Sequence, residues 1–138
     1  MIKSDHLTFS TRGNGDIIDI TLPIGEKVRN SGLNAGIVTV FVPGSTGSVT
    51  TIEYEPGLAK DLPELLEKLV PSKKSYHHDQ TWNDGNGYAH IRAAMLGPDI
   101  TIPFASGKLQ LGTWQQIVFL EFDNRRRERQ LIVQIIGE

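Results

Sequence analysis

Gly36-Ile37-Val38-Thr39-Val40-Phe41-Val42 carries apolar side chains at both odd and even positions. Alternate residues of an extended chain face opposite ways, so this stretch reads as a strand covered on both sides at the centre of a sheet. Ile117 to Phe122 and Leu131 to Ile136 repeat the pattern. Around them the chain supplies weaker strands. Ile2, Leu7 and Phe9 alternate with polar neighbours, which suits an edge strand over 2–10. Thr11 to Asp16 is a turn, and Ile17 to Ile20 is expected to pair back as the second arm of a hairpin. The Pro43 to Ser48 run reads as a hairpin connection into Val49–Tyr54, and Asp123 to Arg126 as a further hairpin turn. Ile100 and Ile102 alternate with polar residues until Pro103 breaks the run.

Helical periodicity occurs in three places. Thr21 can cap a helix over about 22–31, with Ile20, Ile24 and Val28 on one face and Gly32 at its stop. Asp61-Leu62-Pro63-Glu64 reads as a cap, a proline in the first turn and an acidic N3, followed by Leu65, Leu66 and Leu69 facing the core with Leu62. Ala89 to Leu96 forms a short helix closed by Gly97-Pro98. The expectation is one α+β domain over 1–138, a mainly antiparallel sheet with about three short helices. Three modest helices supply little cover for strands that are apolar on both faces. Part of that cover is therefore assigned to a second copy of the chain, which predicts a homo-oligomer.

Bulk composition excludes more than it identifies. A net charge of −2 and a pI near 6.1 give no global reason to bind nucleic acid or an anionic membrane. The arginine run Arg125, Arg126, Arg127 and Arg129 lacks interleaved aromatic residues and reads as a solvated turn. With no cysteine, disulfides and thiolate metal sites are ruled out. No apolar run is long enough to span a bilayer and the N-terminus has no apolar core, so the expected location is cytoplasmic.

Chemistry concentrates in Tyr76 to Arg92, which holds three of the four histidines, two carboxylates and an arginine. It shows no periodicity before Ala89 and reads as a long functional loop entering a helix. His78 and His90, with Asp79 and Asp84 or with Glu53, could hold a divalent cation such as zinc or magnesium and leave a coordination position open. His77 is set aside because neighbours in extended backbone point apart, and His6 lies on the edge strand. Ser45, Thr46 and Ser48 belong to a Gly/Ser/Thr loop able to present successive N–H groups to an anion. It is no P-loop, since neither a lysine nor a helix follows the glycines. Arg92, near a helix N-terminus, could share a phosphate with that loop or lie in solvent. Glu53 is a general base, a ligand or a salt-bridge partner. Trp114 stacks on a planar ring or fills the core, and Gln115 binds substrate or ties down a loop.

Ser106-Gly107-Lys108-Leu109-Gln110-Leu111-Gly112-Thr113-Trp114-Gln115-Gln116-Ile117 resembles a signature of the YjbQ-like family, whose members are often labelled secondary thiamine-phosphate synthase. The similarity takes in Ser45 to Glu53, Tyr76 to Asp79, His90 to Gly97 and the terminal Gly137-Glu138. The resemblance implies an α+β domain assembled as a homotrimer, with a polar cleft near a subunit boundary where a metal or phosphate-like anion sits. It implies, as a secondary activity, the joining of a hydroxymethylpyrimidine diphosphate to a thiazole phosphate with release of pyrophosphate. Arg92, the Ser45–Ser48 amides and a divalent cation would then hold the diphosphate while His78 and His90 position or protonate it. One departure stands out. Many family members carry a histidine just before the Ser/Thr stretch, and here that position is Gly44. The alternatives are a non-catalytic oligomeric protein binding a metal or small anion, and a metal-dependent hydrolase of a phosphorylated metabolite.

Overall fold

A computed structural model describes all residues, 1–138. In chain order it contains β1 (Ile2–Ser10), β2 (Ile17–Asp19), α1 (Thr21–Asn30), β3 (Ala35–Phe41), β4 (Gly47–Ile52) and α2 (Leu58–Leu69). Then follow α3 (His77–Trp82), α4 (Gly87–Leu96), β5 (Asp99–Ala105), β6 (Lys108–Leu109), β7 (Gln116–Glu121) and β8 (Glu128–Gly137). The fold is α+β, and every strand pairing is antiparallel.

Strands divide between a five-stranded sheet, β1-β8-β3-β5-β6, and a three-stranded sheet, β2-β7-β4. This overturns the expected hairpins. β1 pairs with β8 and β2 with β7, so the Thr11–Asp16 turn carries the chain from one sheet to the other. The Pro43–Thr46 connection does the same between β3 and β4, and Asp123–Arg127 does so between β7 and β8. Pro103 does not break β5. Gln110 N–H donates to the Pro103 carbonyl (2.9 Å), so that residue's missing N–H also faces β6. β6 pairs only with Phe104 and Ala105, and no acceptor is left waiting.

Three layers result. Val38 and Val40 of β3, Leu131, Val133 and Ile135 of β8, and Ile117 and Phe119 of β7 fill the space between the sheets. Ile24 and Val28 of α1 close one end of that core. On the far face of the small sheet, Val118, Leu120 and Phe122 pack under Leu66 and Val70 from α2 and Tyr88, Ala89 and Ala93 from α4. The helices therefore do cover β7 within one chain. What they leave open is the outer face of the large sheet, where Ile2, Ile37, Phe41 and Ile136 are all exposed.

Two helix starts differ from expectation. Thr21 is the first residue of α1 rather than its cap; the Asp19 carboxylate accepts its N–H (2.9 Å). α2 begins a turn before Asp61, because Glu55 accepts the N–H groups of Gly57 (2.8 Å) and Leu58. Pro63 consequently lies inside the helix. Only Leu66 of its leucines is buried, and Leu65 and Leu69 face outward.

Candidate functional site

Tyr76 to Arg92 is not a loop. It folds as two short helices, α3 and α4, joined through Asn83 and Gly85, both at positive φ. One carboxylate starts both helices. Asp79 accepts the N–H of Tyr76 (3.1 Å) through one oxygen and that of Gly87 (2.9 Å) through the other. Only glycine fits at 87, because a Cβ there would lie 2.7 Å from the Tyr76 Cβ. These backbone donors hold the Asp79 carboxyl below the usual range, with Gly87 N–H the main cause and Tyr76 N–H next.

This packing lays His78 of α3 against His90 of α4, with ring centroids 4.3 Å apart. His78 Nδ1 is shielded from solvent and has no hydrogen-bond partner. Its nearest carboxylates are Asp84 (3.5 Å) and Asp79 (3.8 Å). Those three ligand atoms all lie within 4.8 Å of one another. His90 has a lowered pKa, first because it is partly buried and then because His78 is beside it. His77, one residue from His78 on the helix, points into solvent.

Behind the imidazoles lies a polar group that the sequence reading passed over. The Asn86 amide stands between Asp84 and Asp123 and can donate to either. Asp123 is buried and takes the Arg127 guanidinium (2.5 Å) and the Asn124 N–H (2.8 Å). Burial alone would raise the Asp123 pKa, but the hydrogen bonds from Asn86, Asn124 and Arg127 outweigh it and hold the carboxyl low. Next to it, fully buried Glu121 takes both Nε and Nη2 of Arg129 and the Thr11 hydroxyl (2.8 Å). Arg127 and Arg129 are therefore not a solvated turn. A signal was available: two carboxylates at the end of an apolar strand need partners, and arginines follow at matching parity.

Other expected members of the site lie elsewhere. Arg92 is buried on the opposite side of α4, where it donates to the Val70 carbonyl (2.8 and 3.1 Å) and to Glu67 (2.8 Å) over the Tyr88 ring. It sits in the second turn, away from the helix N-terminus, and cannot share a ligand with the 45–48 loop. Ser48 donates to the Ala93 carbonyl (3.1 Å), and Thr46 bridges Asp123 and Arg129, so both hydroxyls hold the fold. Ser45 is exposed and lines a cleft of about 190 Å³ with Gly44, Gly47 and His90. Glu53 is exposed beyond the far end of β4, about 20 Å along the strand from Gly47 at ~3.3 Å per residue. Trp114 and Gln115 belong to that far end too. Gln115 ties Thr51 (3.0 Å) to Gly112 (3.0 Å), and Trp114 stands 71% exposed rather than in the core.

The family model described as UPF0047 protein YjbQ-like matches residues 5–138. A UPF0047 protein of Archaeoglobus fulgidus is 43% identical over 126 residues, covering 91% of this chain and 96% of that one. Among solved structures, a hypothetical protein of Aeropyrum pernix is similar at a TM-score of 0.91 and 32% identity, over 99% of both chains. A YjbQ/UPF0047-family protein of Clostridium acetobutylicum is similar at 0.87 and 36%, over 96% of this chain and 99% of that one.

Proposed function

The chain belongs to the YjbQ-like UPF0047 family, and from that premise we propose that it is a metal-assisted enzyme acting on a small phosphorylated molecule. Its proposed reaction is the thiamine-phosphate-forming transfer. One observation carries the reading: the shielded, unpartnered Nδ1 of His78 faces two carboxylates, with a second imidazole stacked beside it. An imidazole nitrogen and two carboxylate oxygens at these spacings suit zinc, and their oxygens suit magnesium. What a divalent cation supplies there is neutralisation of a diphosphate leaving group, or activation of a water.

The protein's own groups do the rest. In the transfer, the bond between the pyrimidine methylene and the diphosphate oxygen breaks, pyrophosphate leaves, and the thiazole nitrogen forms the new C–N bond. His90, which burial keeps neutral near pH 7, donates one N–H to a phosphate oxygen and orients it. Arg92 has no part in this, so the charge on the leaving group would be met by a divalent cation held by His78, Asp79 and Asp84 and by the donors of the 44–47 loop. Hydrolysis of a phosphorylated metabolite is a second reading, favoured by that same neutral imidazole, which can accept a proton from water. A homotrimer and a cytoplasmic location go with the proposal. The exposed apolar outer face of the large sheet supports the first, and no helix is long and apolar enough to cross a membrane.

Pyrophosphate release from the two phosphorylated precursors, with magnesium or zinc, tests the transfer. His78→Ala and His90→Ala should each lower turnover by roughly a hundredfold, within the usual range for an acid–base or positioning group. Unchanged turnover in the double variant would remove the site from the reaction. Phosphate release from an aryl phosphate, abolished by chelation, would favour hydrolysis instead.

A further inference from the structure

The phosphorylated ligand of the proposed function needs a cation that Arg92 cannot supply. We infer that the oxyanion subsite is the 44–46 loop, with Arg129 beneath it as the charged donor. Arg129 is 6% exposed, and three of its contacts are internal: Nε and Nη2 to Glu121, and Nη2 to Thr46 Oγ1 (2.9 Å). Its Nη1 makes no hydrogen bond within the chain. That nitrogen lies 3.3 Å from the point a Cβ on residue 44 would occupy, so a glycine there leaves it uncovered. The backbone N–H groups of Ser45 and Thr46 are also without acceptors in the chain, and so is the Ser45 hydroxyl. Nη1 is the one unpartnered nitrogen of this buried side chain and reaches solvent, so a ligand oxygen can take the place of water there. The two consecutive free N–H groups lie beside it in a bend and are further donors available to an anion.

Size and charge narrow the ligand. The position over Gly44 is the rim of a cleft of about 190 Å³ lined by Gly44, Ser45, Gly47 and His90; Arg129 is not part of the cleft wall, and the cleft is smaller than the ~300 Å³ at which pockets for whole metabolites begin. It takes one tetrahedral oxyanion group, and the rest of the molecule extends past His90 toward His78. Glu121 already matches the charge of Arg129. Binding therefore comes from directed donors rather than net charge, and a bare phosphate should bind with a dissociation constant on the order of millimolar. The subsite belongs to the phosphate end of the proposed substrate, yet it can be tested without metal or turnover.

The experiment is calorimetry and amide NMR on metal-free protein titrated with inorganic phosphate. Saturable binding is expected, with the largest shifts at Ser45 and Thr46. Gly44 has no positive φ, so Gly44→Val is not strained in the backbone; its Cβ, 3.3 Å from Nη1, covers that nitrogen and moves it by a few tenths of an ångström. It should weaken phosphate roughly tenfold or more, with a cooperative melting transition retained and zinc binding at His78 unchanged. Arg129→Lys should lose phosphate as well, but it also disturbs Glu121, so the decision rests on Gly44→Val. No saturable binding, shifts confined to another face, or full affinity in Gly44→Val would each overturn the inference. Turnover lost in His78→Ala with phosphate binding intact supports both readings. Turnover absent in every form with phosphate bound at the loop sinks the enzyme reading alone.

Discussion

His90 and Arg92 stand two positions apart in α4, about 200° around the helix axis, and serve different layers of the molecule. Arg92 completes the Val70 carbonyl at the end of α2 and pairs with Glu67, whose side chain is half exposed. Arg92→Met should cost about 2–3 kcal/mol in urea unfolding, below the full cost of breaking a buried pair because Glu67 keeps water. Zinc affinity should stay the same; a substrate-binding arginine would instead alter KM and leave stability alone. His90 should titrate below the ordinary imidazole value of 6.5 in metal-free protein, as followed by NMR of the ring. The sign follows from a folded pKa lower than the unfolded one. The neutral form is the one the fold favours, so the contribution is complete above about pH 6.5 and is lost as pH falls through the folded value. His90→Gln should flatten that part of the stability curve; an unaltered curve would count against it. The nearness of His78 and His90 was not contained in their twelve-residue separation and came from the motif resemblance. The Arg92 error has a plain cause: sequence position placed it near a helix start, but α4 begins at Gly87, two residues earlier than the periodicity suggested.

At the level of elements, α3 and α4 exist as a unit because Asp79 begins both. The sequence hid α3, since Tyr76 is no ordinary capping residue and its N–H is met from N3 instead. α2 was misplaced for a related reason, its first donors being met by Glu55 rather than by a side chain at the cap, where Gly57 stands. Gly87→Ala should push α4 off Tyr76 and Asp79, raise hydrogen exchange across 76–90 and weaken zinc binding at least tenfold. Equal zinc affinity would mean that the helix pair does not set the spacing of His78, Asp79 and Asp84. The hairpins failed in another way. Turn residues mark where a chain reverses, and they carry no information on which sheet it enters next. Strands β3, β7 and β8 were legible because both parities were apolar, but only β7 is covered on both faces within the chain; β3 and β8 leave Ile37, Phe41 and Ile136 exposed.

For the whole molecule, the large sheet arranges its outer face in rows. Ile2, Ile136, Ile37 and Pro103 fall side by side across four strands. The next row is Ser4, Gln134, Thr39 and Thr101, hydrogen-bonded as Ser4–Gln134 (2.8 Å) and Thr39–Thr101 (2.9 Å). An apolar row of this kind, with Phe41 and Ile132 beyond the polar one, is a surface suited to another copy. Ile37→Lys with Ile136→Lys should reduce the light-scattering mass from a trimer to one chain while the circular dichroism is kept. A wild-type mass equal to one chain would refute self-association directly. The order of strands has a consequence for synthesis as well. β1 hydrogen-bonds only to β8, so this strand has no mate until residues 128–137 have been translated. A domain whose opening segment waits for its closing one is rich in distant pairings. It should therefore fold late and slowly, in milliseconds to seconds, and depend on holdase chaperones more than a helical protein of equal length.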